Sequence, residues 1–236
     1  MAKRGRIGLG GLPLIFLGAV LFLSGAGLTG RNLQEDRQAG AAAQKTVEAL
    51  VEYLPEETLH PTPLPDSEEA IAVIDNRVLP VQTVDGRDYV GIIKIPSLSL
   101  ELPVQTPFDL ASLKISPCLY AGDPYHSNMV ICAHNYRSHF GRIKNLEQGD
   151  ELFFVAMDGE WFQYRVISQE IVDPLAYDEM LEPAGWDLTL FTCTVSGEYR
   201  VAVRCARVDP KKATPSRTGV AFSNNPLMQL AIHCVP

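Results

Sequence analysis

Hydrophobic and polar positions fall into three successive regimes along the chain. Residues 7–30 form an uncharged, mostly apolar run, enough to cross a bilayer as a helix of about 20 residues. Residues 31–40 are polar and predict a loose connection. In AAAQKTVEALVEYL (41–54), Val47, Leu50, Val51 and Leu54 recur at helical spacing, which predicts a short amphipathic helix stopped by Pro55. PEETLHPTPLPD (55–66) carries four prolines and predicts an extended, semi-rigid spacer. The third regime begins near Val73. YVGIIKIPSLSLELPV predicts two strands joined at Pro96 and Ser97, and NMVICAHN an apolar strand ending in polar residues. FGRIKNLEQGD predicts a helical turn, ELFFVAMDGEWFQYRVISQEIV a hairpin turning at Asp158 and Gly159. DLTLFTCT and YRVAVRCARV predict two more strands joined by the tight connection VSGE. Six to eight strands with short turns and few helices imply a small closed or nearly closed β-barrel.

Charge orients the first regime. Lys3, Arg4 and Arg6 precede the apolar run, so the positive-inside rule leaves residues 1–6 in the cytoplasm and exports the chain beyond the run. The run is longer than a usual signal-peptide core, which favours an uncleaved anchor; cleavage near residues 24–27 would export the domain equally. The expected organisation is residues 1–6 cytoplasmic, 7–30 a transmembrane anchor, 31–72 a stalk, 73–208 the folded domain and 209–236 a tail. The net charge of −8, with no basic block beyond the N-terminus, argues against a nucleic-acid partner.

Export sharpens the reading of the five cysteines, Cys118, Cys132, Cys193, Cys205 and Cys234. Their number is odd and no CxxC occurs, so at least one thiol is free or pairs with another chain. A catalytic thiol needs a base or cation that favours thiolate and a donor for the substrate oxyanion. Cys193 ends one predicted strand and His134 ends another. Arg200 opens the strand after the tight turn, beside Cys193 if the two strands pair. Alternation puts Val201, Val203 and Cys205 in the core, with Arg200 and Arg204 on the outer face, Arg204 there as a solvated residue. Arg204 is the lesser rival to Arg200. His126 and His139 lie in polar, loop-like contexts that suit surface histidines. Cys132, His134 and Cys193 match none of the strong zinc spacings, and no metal is expected. His134 precedes Cys193, the reverse of the papain order, and the cysteine motif of caspases is absent.

TLFTC (189–193) resembles the TLxTC motif of the sortases, cysteine transpeptidases of Gram-positive surfaces. YVGIIKIPSLSLELPV, VICAHN and YRVAVRCARV resemble, in order, that family's opening strands, histidine strand and arginine strand. The likeness spans roughly residues 89–208. It implies a mostly β fold: a sortase-like eight-stranded β-barrel with short helices, preceded by one transmembrane helix. It further implies that His134, Cys193 and Arg200 are catalytic and that Thr192 lies at the substrate. Cys193 would attack the Thr–Gly bond of an LPXTG-like sorting signal to form a thioester, and an amine from a cell-wall precursor or a pilin lysine would resolve it. No cofactor is implied. The expected partners are surface proteins bearing sorting signals, that amine acceptor and the membrane. Residues 172–185 stand where sortases carry a specificity loop. There Leu175, Ala176, Met180 and Leu181 either contact the signal's Leu–Pro portion or simply cap the barrel. That connection is shorter than a class B insertion, no acidic-aromatic lid precedes the barrel, and the early helix is class B-like. The subclass stays open. A hydrolase that releases the acyl group to water and a catalytically silent binding domain are the alternatives.

Overall fold

The computed structural model describes residues 12–55, 77–175, 180–181 and 185–208. Residues 1–6, expected in the cytoplasm, the expected proline spacer beyond Pro55, the expected domain start near Val73, Ala176 and the expected tail 209–236 lie outside the described residues.

Helix α1 runs without a break from Leu12 to Val51. The loose connection expected at residues 31–40 is therefore helical, which corrects the sequence reading. The physical reason is that polarity alone does not interrupt a helix. Residues 31–40 contain no proline, and Gln, Glu and Arg are good helix formers. Arg31 and Glu35 also form an i,i+4 ion pair at 3.0 Å, the favourable helical spacing. In the part up to Gln38, Phe16, Leu21 and Phe22 are exposed. By length and composition this helix can cross a membrane. In the part from Ala39 onward, Ala39, Ala43, Val47 and Leu50 are buried. Val47 and Leu50 pack with Tyr89, Ile92 and Met157, and Val51 and Leu54 flank them, so the predicted apolar face is the packed one.

Beyond the helix the described residues form nine strands: β1 (Gln82–Val84), β2 (Arg87–Ile95), β3 (Leu100–Thr106), β4 (Cys118–Asp123), β5 (Ser127–Cys132), β6 (Glu151–Ala156), β7 (Trp161–Val172), β8 (Leu188–Cys193) and β9 (Arg200–Arg207). They pair in the order β1-β2-β3-β4-β5-β8-β9-β7-β6, and β6 pairs back onto β2. Strands β2 to β9 thus close into an eight-membered ring, with β1 appended beside β6 on the edge of β2. The β3–β4 and β5–β8 contacts are parallel and the others antiparallel. Strand β4 is not evident from the sequence, because Pro117 and Gly122 at its ends read as turn residues.

Alternation sorts the side chains into two apolar layers. Met129, Ile131, Phe154, Phe162, Leu190 and Val203 fill the ring. On the outer face of β4, β5, β8 and β9 a second cluster gathers Tyr120, Val130, Cys132, Phe191 and Ala202, joined by Val172 and Met180. These strands are therefore buried on both faces, and β8 has no exposed residue. At Gly91 two strands meet closely. A Cβ there would lie 2.4 Å from the Val155 carbonyl oxygen and 2.5 Å from the Phe154 ring, and a paired backbone has little room to give. Gly91→Ala is expected to cost about 2–3 kcal/mol, lowering Tm by about 5–10 °C in thermal unfolding. An unchanged Tm would mean that β6 can move away from β2 at no cost.

Candidate active site

The site is built from the ends of three neighbouring strands. In the parallel pair β5–β8, Cys132 stands beside Phe191, and the Ala133 N–H donates to the Phe191 carbonyl at 3.2 Å. The Thr192 hydroxyl then donates to the Ala133 carbonyl at 2.8 Å. Continuing that register by two residues sets His134 beside Cys193. Across the antiparallel pair β8–β9, Cys193 stands opposite Arg200. Side chains of paired residues share a face, and this face is the one that carries Cys132, Phe191 and Ala202. Cys193 and Arg200 thus stand in adjacent columns on the outside of the ring, and the extended β5–β8 register leads His134 toward the other side of Cys193. Adjacent columns are about 4.8 Å apart.

Local chemistry holds each member. The connection between β8 and β9 closes through Thr194 N–H to the Tyr199 carbonyl at 2.9 Å and Gly197 N–H to the Thr194 carbonyl at 3.0 Å. Gly197 sits at φ +77°, a conformation that glycine adopts without strain. The carbonyls of Gly197 and Tyr199 accept from Arg200 Nη1 at 3.0 and 3.1 Å. Arg200 is only 3% exposed, and its buried Nε has no hydrogen-bond partner among the described residues. One face of the His134 ring stacks on Tyr136, with centroids 4.9 Å apart. The chain then doubles back so tightly that a Cβ on Gly141 would meet the Tyr136 carbonyl at 2.7 Å. Cys193 is 6% exposed, at the margin of the outer cluster.

Three expectations need correction. Arg204, expected on a solvated face, is 1% exposed. It is covered because its Nε donates to Glu170 at 2.6 Å, its Nη1 donates to Thr189 at 3.0 Å, and Trp186 lies 4.4 Å beneath its guanidinium. His139, expected at the surface, is fully buried, because the loop after His134 folds inward and brings it against Tyr136. Thr192 shares the inner parity of β8 with Leu188 and Leu190, so its hydroxyl ties β8 to the histidine segment instead of facing the outer cluster. His126 is exposed, as expected, and lies 2.9 Å from the Asp123 carboxylate.

The structure joins Met180 to the outer cluster and packs Leu181 against it, whereas Leu175 is 63% exposed. Sequence reasoning missed Tyr136, whose i+2 spacing from His134 is its only signal, and the Glu170–Arg204–Trp186 group, for which alternation carries no signal.

The other thiols differ in setting. Burial pushes the Cys118 thiol up to about 12, and burial raises Cys205 further. Near pH 8, iodoacetamide is therefore expected to modify Cys193 at least about ten-fold faster than Cys118 or Cys205, because only thiolate reacts. Peptide mapping by mass spectrometry checks this, and equal rates at Cys118 would refute it.

The Sortase domain family model matches residues 93–208, which contain His134, Cys193 and Arg200. Sortase A of Bacillus anthracis is 28% identical over 187 residues, spanning 74% of this chain and 83% of that protein. Among solved structures, sortase C from Clostridium perfringens SM101 is similar at 28% identity and TM-score 0.46, covering 52% of this chain and 71% of that one. Sortase C of Streptococcus pneumoniae is similar at 26% identity and TM-score 0.48, covering 54% and 71%. The chain thus carries a sortase domain at residues 93–208.

Proposed function

We propose that this protein is a membrane-anchored sortase that cleaves an LPXTG-like sorting signal and transfers the product to an amine of a cell-wall precursor or pilin lysine. The observation that supports the reading is the pairing of Cys193 with Arg200 across β8–β9, beside a β5–β8 register that leads toward His134. In the proposed cycle the Cys193 thiolate adds to the threonine carbonyl carbon, and the oxyanion accepts from Arg200. Collapse breaks the Thr–Gly bond, and the departing amine takes its proton from the His134 imidazolium. An incoming amine gives its proton to His134, attacks the thioester carbonyl and releases the thiolate. No redox or metal step is needed. The outer cluster near Met180 and Leu181 would take the signal's apolar Leu–Pro portion, with Leu175 at its exposed margin. The basic residues Lys3, Arg4 and Arg6 ahead of the apolar helix support a cytoplasmic N-terminus and an extracellular domain.

The test is a mass-spectrometric assay of a peptide panel with varied sorting motifs, with and without added triglycine or a lysine peptide. The expected result is cleavage after threonine with the amine joined to the new carboxyl end. Cleavage with water as the sole acceptor would make the enzyme a hydrolase, and no cleavage of any motif would sink the reading. A thiol and an imidazole acting together further predict that kcat/KM rises and falls between about pH 5 and 9.

A further inference from the structure

We propose that Arg204 is a positioning residue for substrate selection: it clasps both roots of the connection between β7 and β8 and so holds Met180 on the outer apolar cluster. The proposal deepens the transpeptidase reading and rests on it for the identity of the substrate.

Strand pairing alone does not explain Arg204. Strand β9 is paired with β8 from Cys193 to Leu188 and with β7 from Val172 to Tyr164, so the ring closes without help from this side chain. Yet a guanidinium is buried here, which is costly unless the charge is paired. Three of its contacts bear on one segment. Glu170, on one side, lies two residues before β7 ends. On the other side are Thr189 in β8 and Trp186 just ahead of it. The planar fork of arginine can donate in two directions while its face stacks on an indole, which a lysine ammonium cannot do.

A second feature of the sheet is built for this contact. The register of β7 against β9 slips between Val166 and Ser168, a bulge that reverses side-chain parity. Before it, Phe162, Tyr164 and Val166 face the interior of the ring. After it, Ser168, Glu170 and Val172 stand opposite Arg204, Ala202 and Arg200 on the outer face. Without the bulge Glu170 would point into the apolar core. The second root is fixed as well. The Asp187 N–H donates to the Cys205 carbonyl at 2.9 Å, its carbonyl accepts from the Met129 N–H at 3.0 Å, and its carboxylate accepts from the Arg207 N–H at 2.8 Å. Pinning both roots fixes where the connection leaves β7 and where it enters β8. Met180 is then held in the cluster that also contains Phe191 and Ala202, which lie one outward position along from Cys193 and Arg200.

The test uses the full chain with Trp161→Phe, which leaves Trp186 as the remaining tryptophan of the two. Acrylamide quenching of its fluorescence, together with kcat and KM for motif peptides headed by Leu or by Ala, is compared among the parent, Arg204→Met and Arg204→Lys. For Arg204→Met we expect Trp186 to be quenched about two-fold more readily. KM for the Leu peptide should rise about ten-fold, the scale of a lost apolar contact, and kcat should stay within about three-fold. The Leu-over-Ala preference should shrink, and Arg204→Lys should recover less than half of the KM change. A fall in kcat at constant KM would overturn the proposal and assign Arg204 to the chemistry. Unchanged quenching or unchanged KM would overturn it too. Should Arg204→Met not fold, Glu170→Gln, which keeps shape while removing the charge, is read by the same two measurements. A parent that turns over no peptide defeats the transpeptidase reading alone, and quenching still decides the clasp.

Discussion

Replacing Cys193 with alanine is expected to yield a folded protein that forms no thioester and turns over motif peptides at least about 10⁴-fold more slowly, the scale of losing a nucleophile. The change removes one sulfur at the end of β8, and the bonds that hold this corner survive it. The Thr192 hydroxyl still reaches the Ala133 carbonyl, and the Thr194 N–H still reaches Tyr199. No other described thiol can take over. Cys205 faces the ring interior. Cys118 is held as neutral thiol by burial, far from thiolate at neutral pH. Cys132 shares the outer face but packs within the apolar cluster. Intact-mass detection of the acyl-enzyme, with a circular-dichroism melt as the folding control, makes the measurement. His134→Ala should also lose turnover, by about 10²–10⁴, the usual worth of a positioned acid–base group. Parental turnover in Cys193→Ala would place the chemistry elsewhere in the molecule.

How much of this site can be read from sequence depends on whether each contact is local. Cys193 and Arg200 are joined by a tight turn, and hairpin pairing across a short connection fixes which residues face each other. Their adjacency is therefore legible. The His134 column reaches Cys193 through a parallel contact between β5 and β8, strands separated by the whole β6–β7 hairpin. Periodicity carries no information about such pairing, and only the resemblance to a known family joins the two. Alternation correctly puts Arg204 on the outer face, but a pattern along one strand cannot say what lies over it. The bulge that turns Glu170 outward is likewise invisible, since Val166, Ile167 and Ser168 include no glycine, proline, asparagine or aspartate. The helix through residues 31–40 escapes for a different reason. A polar stretch reads as a loose one, although helices tolerate polar faces wherever no breaker intervenes.

Arg200→Ala is expected to lower kcat by about 10²–10³ with a small change in KM, the effect of removing a preorganised donor aimed at developing charge. The case rests on how the guanidinium is held. Two contacts from Nη1 to the carbonyls of Gly197 and Tyr199 fix the group against the turn. The buried Nε, by contrast, has no acceptor among the described residues. A buried donor left unpaired costs about 1–3 kcal/mol, so an acceptor arriving there is bound with its desolvation cost already met. In the proposed cycle the oxyanion would form on the carbon attacked by Cys193, in the column next to Arg200, and would supply such an acceptor. Arg200→Lys separates charge from geometry. An ammonium restores the positive charge but cannot keep both turn carbonyls and still present a second donor from a fixed plane. It should therefore recover less than about ten-fold of the loss. Full recovery by lysine would mean that charge alone suffices, and a loss appearing only in KM would move Arg200 from the transition state to ground-state binding. Steady-state kinetics on one good motif peptide, with saturating amine, distinguishes these outcomes.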